Sequence, residues 1–172
     1  MRAFIRFFSF RSYFVFAAAI GVCLLVLLAL GRVAGGVAAA VLAVYAAGAV
    51  LLHRRLRPPP RPRTEFDALA AFDRVLQEGR PTLLEFYSDD CAVCIANRPL
   101  IEGLENEVGH GLQILRINAK DAIGLAVADR YRVTFTPTYL LFNGRGEKEE
   151  EFVFVINLPR TLYWFNRQVG TA

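Results

Sequence analysis

Two uncharged apolar runs near the N-terminus limit what this chain can fold into more than any other feature. They cover residues 13–30 and 33–52, and only Gly31 and Arg32 lie between them. Each run is about as long as a helix that crosses a bilayer, so we predict two transmembrane helices joined by a tight turn. A cleaved secretory signal is the alternative for the first run, although that run is longer than a usual signal core.

The charges around these runs predict an orientation. Residues 1–63 hold nine arginines, no lysine and no acidic residue, whereas residues 64–172 hold 11 Lys and Arg against 16 Asp and Glu. Because the arginines flank apolar runs, we expect membrane lipid and no nucleic acid as a partner. Three arginines precede the first span, one lies in the turn and five follow the second span, which predicts that both ends, with the soluble domain, face the cytoplasm. A single span would place the domain outside.

The predicted organisation has four parts. Residues 1–12 form a basic segment, residues 13–52 two transmembrane helices, residues 53–63 a basic Pro-rich spacer and residues 64–172 a globular domain. Proline removes backbone donors and fixes φ, so the spacer is expected to be stiff and extended.

The pattern after the spacer predicts alternating helices and strands. Thr64 with Asp67 reads as an N-cap pair, and Asn157 followed by Pro159 predicts the start of the last helix. The predicted order is a helix to Gly79, strand 82–88, helix 91–108, strand 112–118, helix 122–131, a hairpin of strands 138–143 and 150–156 around Gly144 and Gly146, and helix 158–169.

Cys91 and Cys94 carry the chemistry, since they are three residues apart at the start of a helix that follows a strand. The free N–H groups and partial positive charge of a helix N-terminus stabilise a thiolate on the first cysteine. A zinc half-site and a coincidental pair of buried thiols are the alternatives. For zinc, the chain offers only Cys23, His53 and His110 besides this pair, without ligand-like spacing.

Residues 64–169 resemble the thioredoxin family. The resemblance rests on LLEFYSDDCAVC, on Pro99 five residues after the second cysteine, and on YRVTFTPTYLLFNGRGE, in this order. It implies an α/β, thioredoxin-like three-layer fold with a mixed central sheet, here preceded by the transmembrane helical hairpin.

The resemblance also implies roles for five residues. Cys91 would be the exposed attacking thiol, Cys94 the buried resolving thiol, and Glu85 a desolvated acid that accepts the proton of Cys94. Pro137 would be cis, leaving the backbone of Thr136 to pair with an extended substrate chain. Pro137 as an ordinary strand-starting proline and Glu85 as a sheet-rim residue that meets water remain the alternatives.

The sequence also departs from the family pattern. Asp90 stands where the family commonly has Trp, and Trp164 in the last helix is expected in the core. Carboxylates at Asp89 and Asp90 oppose the helix end, so we expect a Cys91 pKa of roughly 7 to 8.

The predicted function is a membrane-tethered thiol–disulfide oxidoreductase that acts as a reductant. Expected partners are protein disulfides or dithiols and an electron-donor reductase or membrane redox partner, with no cofactor or metal in the chain itself. An extracytoplasmic oxidoreductase, for example in cytochrome c maturation, and a non-catalytic docking module at the membrane are the alternatives.

Overall fold

The computed structural model describes residues 2–31, 34–56, 66 and 68–170 of the chain. Three helices come first, and a region of alternating strands and helices follows. The helices are α1 (Arg2–Phe10), α2 (Ser12–Leu30), α3 (Gly35–Leu56), α4 (Leu69–Leu76), α5 (Ala92–Val108), α6 (Ala122–Arg130) and α7 (Leu158–Gly170), with a 3-10 turn at Gly109–Gly111. The strands are β1 (Thr82–Tyr87), β2 (Gln113–Asn118), β3 (Thr138–Phe142) and β4 (Lys148–Val153).

The four strands form one mixed sheet in the order β2-β1-β3-β4. β1 runs parallel to β2, and the crossover between them contains α5. β3 pairs antiparallel with both β1 and β4, and β4 follows β3 through a turn at Gly144 and Gly146. Gly146 has a φ of +74°, a conformation that glycine adopts without steric cost.

Each face of the sheet is covered by a pair of helices, because β1 and β3 carry apolar side chains on both faces. On one face, α4 and α6 contribute Phe72 and Val127 to a core with Leu84 of β1. On the other, α5 and α7 contribute Ile101 and Trp164. The three-layer architecture with a mixed sheet is the one that the sequence predicts, and Trp164 lies in the core as expected.

Most element boundaries agree with the sequence patterns. Asn157 caps α7 as predicted, since its Oδ1 accepts the N–H of Arg160 at 3.0 Å. The start predicted for the first domain helix is wrong, because Ala68 is extended and α4 begins only at Leu69. Phe66 lies just before this helix and packs edge to face on Phe72, with 5.4 Å between the ring centroids. Thr64, Asp67, Arg32 and the spacer residues 57–63 lie outside the described residues.

Helices α2 and α3 lie side by side and are compatible with a hairpin. Two tyrosines link them: the Tyr45 hydroxyl donates to the carbonyl of Ala17, and the Tyr13 hydroxyl to that of Ala49, each at 2.7 Å. Both helices are long and apolar enough to cross a membrane, and no residue of α2 is buried within the described part of the chain. Helix α1, which the sequence analysis did not predict, precedes them.

Candidate functional site

Cys91 lies at the point where β1 has ended and α5 begins. It is the N-cap residue of α5, with extended φ and ψ of −91° and 113°, and its Sγ accepts the N–H of Cys94 at 3.2 Å. The sulfur is also 3.2 Å from the carbonyl oxygen of Thr136. Both cysteines are free thiols, and both are buried. Cys91 therefore caps the N-terminus of α5, and it lies at the helix start where the sequence predicts the reactive cysteine.

The pKa values of the two cysteines are shifted in opposite directions. Hydrogen bonding with Cys94 is the main reason that the pKa of Cys91 falls to about 6; burial opposes this, and hydrogen bonds with Thr136 and Ser12 add to it. Burial, together with the hydrogen bond to Cys91, raises the pKa of Cys94 well above its ordinary value. At neutral pH, Cys91 is thus the thiolate and Cys94 the thiol. The Cys91 pKa lies below the range of 7 to 8 expected from the sequence.

Glu85 lies in the middle of β1 and is 6 % exposed. Its Oε2 is 3.0 Å from Nε of Arg116, the residue opposite it on β2. The negative charge of Glu85 contributes to the raised pKa of both Cys94 and Tyr139, although burial is the larger cause for each. The charge of Glu85 therefore acts on the Cys94 thiol. The ion pair between Glu85 and the Arg116 guanidinium was not predicted from the sequence.

Thr136 and Pro137 immediately precede β3 and are both buried. The peptide bond between them is cis, as the resemblance implies. The carbonyl of Pro137 accepts the N–H of Phe154 at 2.9 Å. The N–H of Thr136 donates to the Ser9 hydroxyl at 2.9 Å, so a residue of the N-terminal region occupies the group expected to meet a substrate.

Asp90 carries a buried carboxylate beside Cys91 and is 7 % exposed. Its Oδ2 accepts a hydrogen bond from Nζ of Lys120 at 2.8 Å, and its Oδ1 lies 3.4 Å from Nε2 of His53 in α3. Asp89 accepts the side-chain amide of Asn118 at 3.3 Å. Asp90 neither caps α5 nor faces Cys91 as an unpaired charge, because Lys120 and His53 surround its carboxylate.

The expected exposure of Cys91 is wrong: its exposed fraction is 0 %. The physical reason is the junction of α1 and α2, whose residues 9–13 hydrogen-bond to the loop around the cysteine. Nothing local in the sequence marks Ser12 as a neighbour of Ala92, or His53 and Lys120 as neighbours of Asp90, since these contacts join residues that are far apart in the chain. Within the described residues, no group of three or more His, Cys, Asp and Glu side chains is arranged to hold a metal ion.

Comparison with known proteins gives three findings. The thioredoxin family model matches residues 64–156, more than half of the chain. Thioredoxin Y of rice chloroplasts is 28 % identical over 109 residues, which cover 59 % of this chain and 62 % of that protein. The thiol:disulfide interchange protein TxlA homolog of Synechocystis is 34 % identical over 71 residues, covering 41 % of this chain and 39 % of that protein. The chain thus spans less than two thirds of these relatives' length.

The solved structure of mitochondrial thioredoxin 3 from Saccharomyces cerevisiae, in its oxidised form, superimposes with a TM-score of 0.51 at 16 % identity. The superposition covers 61 % of this chain and 94 % of that one. At this identity the likeness concerns the fold alone, and it supports the three-layer architecture described above.

Proposed function

The chain belongs to the thioredoxin family, and on that premise we propose that it is a membrane-tethered oxidoreductase that reduces disulfides of protein substrates. The family implies thiol–disulfide exchange in general terms. The direction of exchange, the tether and the roles of individual residues are our proposals.

The proposed reaction begins at Cys91. Its thiolate attacks one sulfur of a substrate disulfide; a Cys91–substrate disulfide forms, and the other substrate sulfur leaves as a thiolate. Cys94 then loses its proton, attacks the Cys91 sulfur and releases the second substrate thiolate. The substrate gains two electrons, and its two thiolates take up two protons, of which one derives from Cys94 and the other from water. The chain is left with a Cys91–Cys94 disulfide.

One observation carries this proposal: the pKa of Cys91 is lowered to about 6, while that of Cys94 is raised. The difference gives the two cysteines distinct roles, because the thiolate is the nucleophile in exchange. Glu85 would take the Cys94 proton in the second step. A carboxylate accepts a proton only in its ionised form, and that of Glu85 lies 3.0 Å from Nε of Arg116.

Substrate binding would use the loop before β3. The backbone of Thr136, beside cis-Pro137, would pair with an extended substrate segment by adding a strand. Electrons for the next cycle must come from a partner, a reductase or a membrane redox protein, since the proposed cycle leaves the chain oxidised.

The tether and its orientation rest on α2 and α3. The Arg distribution around them favours a cytoplasmic domain, where a reductant is useful. An alkaline phosphatase fusion after residue 172 should be inactive and a cytoplasmic reporter active. An active phosphatase fusion would instead support the extracytoplasmic oxidoreductase.

Trapping of mixed disulfides tests the reaction. Cys94→Ser should accumulate protein adducts through Cys91, because the resolving thiol is gone, whereas Cys91→Ser should accumulate few. Both variants would carry Cys23→Ser, which removes the exposed thiol of α2. Equal trapping by the two variants would contradict the assigned roles.

One observation favours a second candidate, the non-catalytic docking module. Cys91 has an exposed fraction of 0 %, and a thiol without access to substrates gives no turnover. A docking module would show no insulin reduction under any condition, including conditions that expose Cys91.

A further inference from the structure

The junction between α1 and α2 lies directly over the cysteine pair. The Ser88 hydroxyl donates to the carbonyl of Phe10 at 2.6 Å, and the N–H of Tyr13 donates to the carbonyl of Asp90 at 3.0 Å. Phe10 is itself buried, at 6 % exposed. A segment from the N-terminal region thus follows the loop that leads into α5 and closes the surface over Cys91.

Two serines of this segment use backbone donors of the site. Ser9 accepts the N–H of Thr136 at 2.9 Å, and Ser12 accepts the N–H of Ala92, the first residue of α5, at 3.1 Å. An extended substrate chain cannot pair with the Thr136 N–H while Ser9 holds it, so the segment and a substrate compete for the same place.

Arg6 holds the segment on the domain. Its guanidinium donates to the carbonyl of Val133 at 2.6 and 3.1 Å and to the carboxylate of Asp129 at 2.6 Å. Only 15 % of the Arg6 side chain is exposed. Charge-assisted hydrogen bonds of this kind are among the stronger polar contacts in proteins.

The helical path breaks at Arg11. This residue separates α1 from α2, and its φ and ψ of −123° and 26° lie outside the α-helical values. On the far side of the break, Tyr13 is fixed to α3 by its hydroxyl bond to Ala49 and by its ring, which lies 4.5 Å from that of His53. Residues before the break can therefore leave the domain while α2 stays in the hairpin.

We propose that residues 6–10 are an internal ligand of the substrate groove, which keeps Cys91 closed until this segment swings away about Arg11. The inference rests on the proposed function, because it concerns access of a protein disulfide to the same thiol. It follows from two facts together: a nucleophilic thiol with no exposed surface cannot reach a protein substrate, and the groups that a substrate needs are already occupied.

Alkylation of Cys91 measures the closure without requiring any redox activity. The full chain, reduced, in detergent micelles and in a Cys23→Ser background, would be treated with a maleimide and the Cys91 peptide quantified by mass spectrometry. Arg6→Ala with Ser9→Ala should accelerate labelling about tenfold or more, since the hydrogen bonds that hold the closed state are lost. Arg145→Ala, which breaks an exposed pair with Glu147, is the matched control and should label as the parent does.

A cross-link tests the placement in a chain that keeps Arg6 and Ser9. With Cys94→Ser and Cys23→Ser, a Ser12→Cys substitution should form a disulfide with Cys91 under mild oxidant, because the Ser12 hydroxyl accepts the N–H of Ala92, the residue next to Cys91. After trypsin cleaves the arginine-rich stretch between α3 and the domain, the two pieces should remain joined until reduced. Ala29→Cys, about 25 Å along α2 from Ser12, is the control that should not cross-link.

The outcomes separate this inference from the proposed function. Rapid labelling of Cys91 in the parent, unchanged by Arg6→Ala with Ser9→Ala, or absence of the Ser12→Cys cross-link, would overturn the closure. Faster labelling in the double variant, together with no mixed disulfide from Cys94→Ser in that variant, would support the closure and refute the proposed reaction.

Discussion

The N-terminal helices and the sheet domain are both rich in apolar residues, yet these residues are exposed in the helices and buried in the domain. In α2, no described residue is buried, and Leu27 is 61 % exposed. In the domain, Leu84 and Leu140 are 0 % exposed and belong to a continuous core. The charges divide as well, since residues 1–63 contain no acid and all 16 Asp and Glu lie in residues 64–172.

The difference fits the proposed membrane tether, in which the two regions are stabilised by different surroundings. The domain buries its apolar surface against itself, which is the main force that folds a protein in water. The hairpin has apolar side chains that face outward, as helices in lipid do, and is linked by the Tyr13 and Tyr45 hydroxyls and by close packing at Gly21. A Cβ on Gly21 would lie 3.3 Å from Cε1 of Tyr45.

The sharpest test of this contrast is one substitution made in each region. Leu84→Ala removes a side chain from the core and should lower the free energy of unfolding of the domain by about 2–5 kcal/mol. Leu27→Ala removes the same atoms from an exposed position of α2 and should leave domain unfolding unchanged. Denaturant titration of the full chain in detergent, followed by Trp164 fluorescence, measures both.

The contrast would fail if Leu27→Ala destabilised the domain as much as Leu84→Ala. That result would mean that α2 packs against the domain over a larger surface than its junction with α1. The slope of the titration should be the same in both variants, because the surface exposed on unfolding is the same.

Polar contacts allow a second comparison of the regions. Arg116→Ala leaves the Glu85 carboxylate buried without its partner, and breaking a buried ion pair costs about 3–5 kcal/mol. Since the Arg116 side chain is 15 % exposed, we expect the lower end of that range. Tyr45→Phe removes one hydroxyl bond of the hairpin, and interhelical hydrogen bonds in lipid contribute only about 0.6 kcal/mol on average.

The measurement is again denaturant titration, read by Trp164 for the domain and by a label pair on α2 and α3 for the hairpin. Lys148→Ala, which breaks an exposed pair with Glu151, is the control for loss of a charge and should change domain stability by less than about 1 kcal/mol. An Arg116→Ala variant as stable as Lys148→Ala would indicate that water reaches Glu85.

The fold was predictable because its signals are local. The run from Thr82 to Tyr87 is apolar on both faces and forms a central strand, and Asn157 supplies the side chain that starts α7. The cysteine pair was predictable for the same reason, since its spacing and its place at a helix start depend on only a few neighbouring residues.

The N-terminal segment that covers Cys91 was not predictable, because its position depends on contacts between residues that are far apart in the chain. Ser9 meets Thr136 across 127 positions and Ser12 meets Ala92 across 80, and serine in a helical segment carries no signal of such a partner. The exposure of Cys91 was misjudged for this reason, whereas its pKa was misjudged mainly because hydrogen bonding with Cys94 lowers it. The pairing of Asp90 with Lys120, 30 positions away, was missed in the same way.

The smallest predicted effect concerns the point where the two regions meet, at Asp90. Lys120 of the domain and His53 of α3 approach different oxygens of its carboxylate, at 2.8 and 3.4 Å. Lys120 is the closer partner, so it is expected to neutralise most of the field of Asp90 at the Cys91 sulfur. The domain, and not the hairpin, should therefore set the acidity of the thiol.

Lys120→Met should raise the pKa of Cys91 above about 6 by roughly one unit or less, because an uncompensated carboxylate then opposes the thiolate at a partly screened distance. His53→Leu should shift the Cys91 pKa less.

Thiolate absorbance, titrated between about pH 4 and 8 in a Cys23→Ser background, reports Cys91 alone, since the raised pKa of Cys94 places its titration higher. Asp90→Asn added to Lys120→Met should return the Cys91 pKa toward the parent value, as a double-mutant cycle requires if Lys120 acts through Asp90. A larger shift from His53→Leu than from Lys120→Met would reverse the conclusion and make the hairpin the element that tunes the thiol.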